Sequence, residues 1–233
     1  MINKDPAQIQ AMFGTIAKQY DRANGILSFQ MHRLWNRRLL NSIGNVETLL
    51  DLCAGTGAIA LGWLGRQPSP KKAYLLDFCP EMLAIAEKRG AGLPHTVHYL
   101  EADAACIPLP DQCVEAVSIA YGIRNVQETH ACLHESFRVL KPGGSLHILE
   151  LTEPTHPILK AGHTLYLKTL FPLMGYLFTP NPEAYDYLCR SIKAFIRPPV
   201  LAEALLKAGF TSVTITSLTG GTATLLKASK GVK

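Results

Sequence analysis

Three aspartates and one Arg-Asn pair are the side chains best spaced to do chemistry. In "LLDLCAGTGAIAL" (49–61) an apolar run carries Asp51 and meets Gly55-Thr56-Gly57. A second run, "KAYLLDF" (72–78), ends in Asp77 and Phe78; a third, "TVHYLEAD" (96–103), ends in Asp103, followed by Ala104. A fourth, "EAVSIA", runs through Ala120 into "YGIRN", which holds Arg124 and Asn125. The glycines let the backbone turn tightly and approach a ligand without side-chain interference. Asp51 stands four residues before the first glycine, and no Lys or Arg lies in that loop. A carboxylate there suits a cationic ligand better than a pyrophosphate, because like charges repel. Asp77 is placed to bind ribose hydroxyls, and Asp103 to bind an adenine amino group. Together they fit S-adenosylmethionine, an adenosyl group bearing a sulfonium and an amino acid. Each Asp alone reads equally well as a helix cap or turn residue. "GTGAIA" also fits G-x-G-x-x-A, so a nicotinamide dinucleotide site stays open.

Arg124 poses its own question, since Arg is seldom buried without a partner. It is the one Lys or Arg between residues 90 and 137. Either a neighbouring Asp or Glu pairs with it, or it faces a ligand at the carboxyl end of a parallel strand.

The elements that must position these residues follow a regular pattern. Apolar runs at 46–52, 72–78, 96–103, 113–123 and 142–151 alternate with amphipathic segments such as "PEMLAIAEKRG", with Pro80 near its first position and Gly90 near its end. Strand and helix in alternation predict a parallel sheet with right-handed crossovers. "TSVTITSL" and "TATLLKAS" flank "TGG" and predict an antiparallel hairpin. "PPVLAEALLKAGF" predicts a helix closed by Gly209. Residues 5–42 read as helical with a break near Asn24-Gly25. Residues 152–198 read as an irregular, aromatic, Pro-rich insertion.

Bulk properties narrow the class. At 233 residues, 48% hydrophobic and 18% charged, the chain is globular and long enough for a substantial core. Of the formal net charge of +5, much sits in residues 1–40, where six Lys and Arg face two Asp. A basic end of this kind suits a solvated helical face or an anionic surface. The six cysteines show no C-x-x-C or zinc spacing, so they read as reduced core residues of a cytoplasmic protein, with no metal. The polar start "MINKDPAQIQ" predicts no signal peptide. The apolar stretch 165–178 is too short to span a bilayer and is interrupted by Lys168 and Pro172.

The motifs "LDLCAGTG", "LLDFCPEML", "EADAACIPLPD", "SIAYGIRNV" and "RVLKPGGSLHILELTEP" resemble, in order, those of class I S-adenosylmethionine-dependent methyltransferases. More narrowly they resemble the quinone-biosynthesis C-methyltransferases of the UbiE/MenG family. "YDRANGILSFQMHRLW" matches that family's N-terminal signature at Tyr20, Asp21, Asn24, Ser28, His32 and Trp35, and residues 185–221 match its C-terminal pattern. Departures from the pattern are Ala23, Cys79, Ala120 and Thr152, none at an acidic cofactor position.

The resemblance implies a Rossmann-like α/β fold: a seven-stranded, mostly parallel sheet ending in an antiparallel hairpin. Residues 1–45 would form a helical lid, 46–151 the cofactor-binding core, 152–198 a substrate-side cap, and 199–233 the helix and hairpin completing the core. It implies methyl transfer to a ring carbon of a prenylated quinol, either demethylmenaquinol or a 2-methoxy-6-polyprenyl-benzoquinol. Cofactor contacts would come from Asp51, Gly55, Thr56, Gly57, Asp77, Phe78, Asp103, Ala104 and Ala120. Arg124, Asn125, Tyr20, Asp21 and His32 would serve the chemistry, with Arg124 acting on the transition state while the fold is indifferent to its charge. Partners would be the quinol, the inner membrane face contacted peripherally, and a second copy in a homodimer, with no nucleic acid. The competing functions are an NAD(P)-dependent oxidoreductase, a non-catalytic quinone carrier and an RNA methyltransferase.

Overall fold

Every strand named above forms, and the chain lays them side by side in one sheet. The computed structural model describes residues 5–169 and 182–232. Its strands are β1 Thr48–Leu52, β2 Lys72–Asp77, β3 Thr96–Glu101, β4 Val114–Ala120, β5 Leu140–Leu151, β6 Ser212–Leu218 and β7 Ala223–Ser229. They lie in the order β3-β2-β1-β4-β5-β7-β6. The first five are parallel, and β7 runs antiparallel to both β5 and β6. The order reverses between β1 and β4, and the crevice outside the strand ends there is where an open sheet binds ligands.

Helices cover both faces. In chain order they are α1 Pro6–Ile16, α2 Tyr20–Leu27, α3 Met31–Ile43, α4 Ala58–Leu64, α5 Pro80–Gly90, α6 Thr129–Val139, α7 Pro157–Lys168, α8 Pro182–Ala194 and α9 Pro198–Lys207. Because side chains alternate along a strand, β1 sends Leu50 and Leu52 into one core and Leu49 into the other. Asp51 shares the face of Leu49, toward α4. The Leu-rich β1 is buried on both sides, as a central parallel strand must be.

The structure departs from the sequence reading in three places. Asn24-Gly25 lies within α2 rather than at a break. The reversal comes later, at Phe29 and Gln30, whose φ of 49° and 63° turn the chain left-handed. Gln30 folds back so that its side-chain nitrogen would sit 2.9 Å from a Cβ on Gly25, so that glycine serves close packing. β5 starts before the Pro142-Gly143-Gly144 turn: it pairs with Val114 at Leu140, bulges, and rejoins β4 at Ser145. The insertion contains two regular helices, α7 and α8. The apolar stretch 165–178 lies in part outside the described residues, as does Lys4. Among the described residues no helix is long and apolar enough to cross a membrane.

Candidate active site

The loops after β1 and β4 meet at the switch point. A Cβ on Gly122 would lie 2.3 Å from that of Cys53, so glycine is required there. Cys53 and Tyr121 take left-handed φ of 53° and 59°, strain of the kind that clusters at functional sites.

The carboxylates beneath these loops are already anchored. Asp51, 1% exposed, accepts from Ser118 Oγ at 2.6 Å and from the Ala60 N–H of α4 at 3.1 Å. Burial, opposed by those bonds, pushes its carboxyl up to about 7. Asp77 accepts from the Gly55 N–H at 2.8 Å and the Cys79 N–H at 2.9 Å, and burial also raises its pKa. Asp103 accepts from the Ala105 N–H at 2.8 Å. Each Asp therefore shapes its own loop as well as facing the crevice. Asp77, Phe78, Asp103, Ala104, Gly55 and Ala120 come together around a pocket of about 70 Å³. A Cβ on Gly55 would meet nothing within 4 Å among the described residues, so this backbone stands open to a ligand. These residues fit an adenosyl group, with carboxylates for its hydroxyl and amino donors. Gly57 shapes the loop: at φ 80°, a Cβ there would press on Leu61 and Ala86.

A second cavity of about 660 Å³ adjoins the first. The two share Phe13, Tyr20, Cys53, Gly55, Ala120 and Tyr121. Its walls come from α1, α2, α3, α7 and α8, so distant chain segments converge on it. Asp51 and Thr56 line it too, at the cofactor side.

The Arg-Asn turn divides its residues between the two spaces. Arg124 lines the larger and Asn125 the smaller. Arg124, 5% exposed, pairs with the fully buried Glu150 at 2.5 Å, donates to the Tyr121 carbonyl, and reaches Ser191 Oγ of α8 at 3.3 Å. Its Nη2 has no hydrogen-bond partner among the described residues. This pairing speaks against the expectation that the fold is indifferent to the charge: Glu150, also held by the Leu151 N–H, would be left as a buried carboxylate without its ion-pair partner. Asn125 Oδ1 accepts from the Tyr187 hydroxyl at 3.1 Å.

The N-terminal helices bring Tyr20, Asp21 and His32 to the larger cavity. Burial pushes the Tyr20 hydroxyl up, against the charge of Arg124. Asp21 is spoken for: it accepts from Thr56 Oγ1 at 2.9 Å and pairs with Arg89 of α5 at 2.6 Å. His32 is not. Its Nδ1 meets Ser28 Oγ at 2.7 Å, and burial, with help from Arg33, lowers its pKa.

A family model described as the ubiE/COQ5 methyltransferase family matches residues 1–230. The chain belongs to that family. It is 47% identical to the demethylmenaquinone methyltransferase of Protochlamydia amoebophila, over 98% of this chain and 97% of the relative. It is 40% identical to that of Chlamydia trachomatis serovar L2, over 95% and 96%. Two solved S-adenosylmethionine-dependent methyltransferases share its fold. The one from Thermotoga maritima aligns with TM-score 0.65 at 17% identity, covering 94% of this chain and 98% of the other. The one from Aquifex aeolicus aligns with TM-score 0.59 at 22% identity, covering 83% and 88%. The protein is an S-adenosylmethionine-dependent methyltransferase, which decides the ambiguous G-x-G-x-x-A loop against hydride transfer.

Three residues of this methyltransferase site escaped the sequence reading. Glu150 carried a signal, as a single carboxylate inside the apolar strand "HILEL". Tyr187 and His163, from α8 and α7, gave none: both sit in a region with no strand-helix rhythm to place them.

Proposed function

We propose that the protein methylates a ring carbon of a prenylated quinol, with demethylmenaquinol as its substrate. The names of its relatives favour the naphthoquinol over the benzoquinol. S-adenosylmethionine, held by Asp77, Asp103 and the Gly55–Gly57 loop with its cationic end toward Asp51, supplies an electrophilic methyl group. A ring carbon attacks such a methyl only once the adjacent hydroxyl has lost its proton and spread its charge onto the ring.

The hydrogen bonds around His32 carry the reading. Ser28 Oγ gives its one proton to the Asn24 carbonyl at 2.6 Å. The contact with His32 must then be donated by Nδ1–H. Nε2 is left with its lone pair, and the lowered pKa keeps the ring neutral near pH 7. His32 is thus a proton acceptor on the cavity wall, while Asp21 is engaged elsewhere. Arg124 offers Nη2–H to the developing phenolate. Glu150 offsets most of its charge, so Arg124 acts as an aimed donor fixed in advance rather than as a loose cation. The apolar lining, with Met12, Leu27, Leu167 and Ile192, suits the prenyl chain at ~0.8 kcal/mol per buried CH₂.

The test is incubation with the cofactor and each reduced quinone, followed by mass spectrometry of the lipid. Demethylmenaquinol should gain one methyl group; no methylation of either quinol would overturn the reading. His32→Gln should lower kcat roughly 10²–10⁴-fold, the range for a general base, with cofactor affinity unchanged.

The same reading includes the membrane. Phe29, Ile158 and Leu159 line the cavity and are strongly exposed, with Ile158 at 76%; Leu165 is exposed nearby on α7. Lys160 and Lys168 share that helix. Apolar tips flanked by cations suit an anionic bilayer surface. Flotation with anionic liposomes should fall when Ile158 and Leu165 are both changed to Ser. Equal flotation of wild type and variant would count against membrane contact here.

A further inference from the structure

His163 has no part in the chemistry above, yet it lines the larger cavity from α7 beside Gly162. Its Nδ1 is buried without a hydrogen-bond partner, the one such side-chain atom among the described residues. A buried N–H without an acceptor is rarer than an unused lone pair, so the lone pair belongs on Nδ1 and the proton on Nε2. Burial lowers the pKa of the ring, with Lys193 adding to the effect and Glu153 opposing it, so the neutral form with a single N–H prevails. With Nδ1 enclosed, Nε2–H is the polar atom this side chain can offer to the cavity. His32 has the opposite tautomer and offers a lone pair. One cavity therefore presents an imidazole acceptor and an imidazole donor, from helices about 130 residues apart in sequence.

Gly162 supports a ligand at this place. Glycine inside a helix is unfavourable relative to alanine, and a Cβ added here would meet nothing within 4 Å among the described residues. No packing demand from those residues accounts for it. It leaves a bay open next to His163.

We infer that His163 binds the substrate, donating Nε2–H to the ring oxygen para to the hydroxyl that His32 deprotonates, so that the cavity selects rings oxygenated at both ends. This rests on the quinol reading above. It adds a specificity determinant: a ring with one hydroxyl would fill the space but leave His163 without its acceptor.

The test compares demethylmenaquinol with a prenylated 1-naphthol lacking the far hydroxyl. The far hydroxyl also activates the ring, so the quantity to follow is how the preference in kcat/KM changes on mutation. His163→Phe should raise KM for the quinol about tenfold, the size of one neutral hydrogen bond. It should leave kcat/KM for the naphthol unchanged, and so shrink the preference by the same factor. His163→Gln, which restores a donor, should recover most of it. Cofactor affinity should not move in either variant. Gly162→Leu should raise KM for the quinol without lowering the melting temperature. An unchanged preference in His163→Phe, or an equal loss on both substrates, would overturn the assignment. If the wild type methylates neither compound, the quinol reading itself is what fails.

Discussion

The cofactor end and the substrate end of this site are held together in different ways. At the cofactor end, side chains at strand termini bond to the sheet and its adjoining loops: Asp51 to Ser118 and Ala60, Asp77 to Gly55 and Cys79. These carboxylates are buried, and they are as much part of the fold as of the site. At the substrate end, single side-chain bonds tie remote segments. Asp21 reaches Thr56, the Tyr166 hydroxyl reaches the Leu27 carbonyl, and Trp35 Nε1 reaches Thr219 Oγ1 at 2.8 Å. The first end cannot be altered without disturbing the sheet. The second can loosen one tie at a time.

Arg124 stands on the border and is the place to break this contrast. Arg124→Met should cost about 3–5 kcal/mol in stability, because it strands a buried carboxylate. Chemical denaturation measures this directly. Adding Glu150→Gln should recover most of the stability but not the methyl transfer, which separates the ion pair from the donor. If the single variant keeps its stability, the two ends are less distinct than the contacts imply.

A smaller effect sharpens the cofactor side. Asp51 titrates at about 7 in the folded protein, against an ordinary 3.8. A cationic ligand beside it favours the ionised form, so binding releases a proton and tightens as pH rises through 7. Calorimetry in buffers of different ionisation enthalpy should detect that release. Below pH 7 affinity should fall by up to about tenfold per unit, as expected for one linked proton. Asp51→Asn should flatten the profile. For the fold the sign is opposite. Between pH 3.8 and 7 the unfolded chain ionises first, so stability falls as pH rises through that window.

The smallest expected effect belongs to the substrate side. The Asp21–Arg89 pair is partly exposed, with side chains 39% and 46% accessible, so it contributes only about 0–1 kcal/mol to stability. Asp21→Ala should leave thermal unfolding nearly unchanged while raising KM for the quinol several-fold, because α2 loses its tie to the Thr56 loop. A large drop in melting temperature would show that α2 is integral to the core.

What could be read from sequence follows the same division. Strand periodicity and the Gly-Thr-Gly turn place Asp51, Asp77 and Asp103 because parallel topology brings consecutive strand ends together. Arg124 was located correctly but its partner was not, since the pairing of β4 with β5 sets Glu150 beside it across 26 residues of chain. Asn24-Gly25 looks like a helix break on local propensity, yet α2 runs through it, and Gly25 is where the Gln30 side chain packs close against the helix. The directions of the bonds at Ser28, His32 and His163 depend on where each hydroxyl and ring proton goes, and spacing carries no record of that.

Helix α1 has a consequence for how the smaller pocket opens. Its Gln10 Nε2 donates to the Phe78 carbonyl at 2.6 Å, and Pro6, Ile9 and Phe13 wall that pocket. At about 70 Å³ it is by itself below the roughly 300 Å³ at the small end of the usual range for a ligand site, and it shares six lining residues with the larger cavity. A shift of α1 is the expected way to widen it, so hydrogen exchange along residues 6–16 should change when S-adenosylmethionine is added.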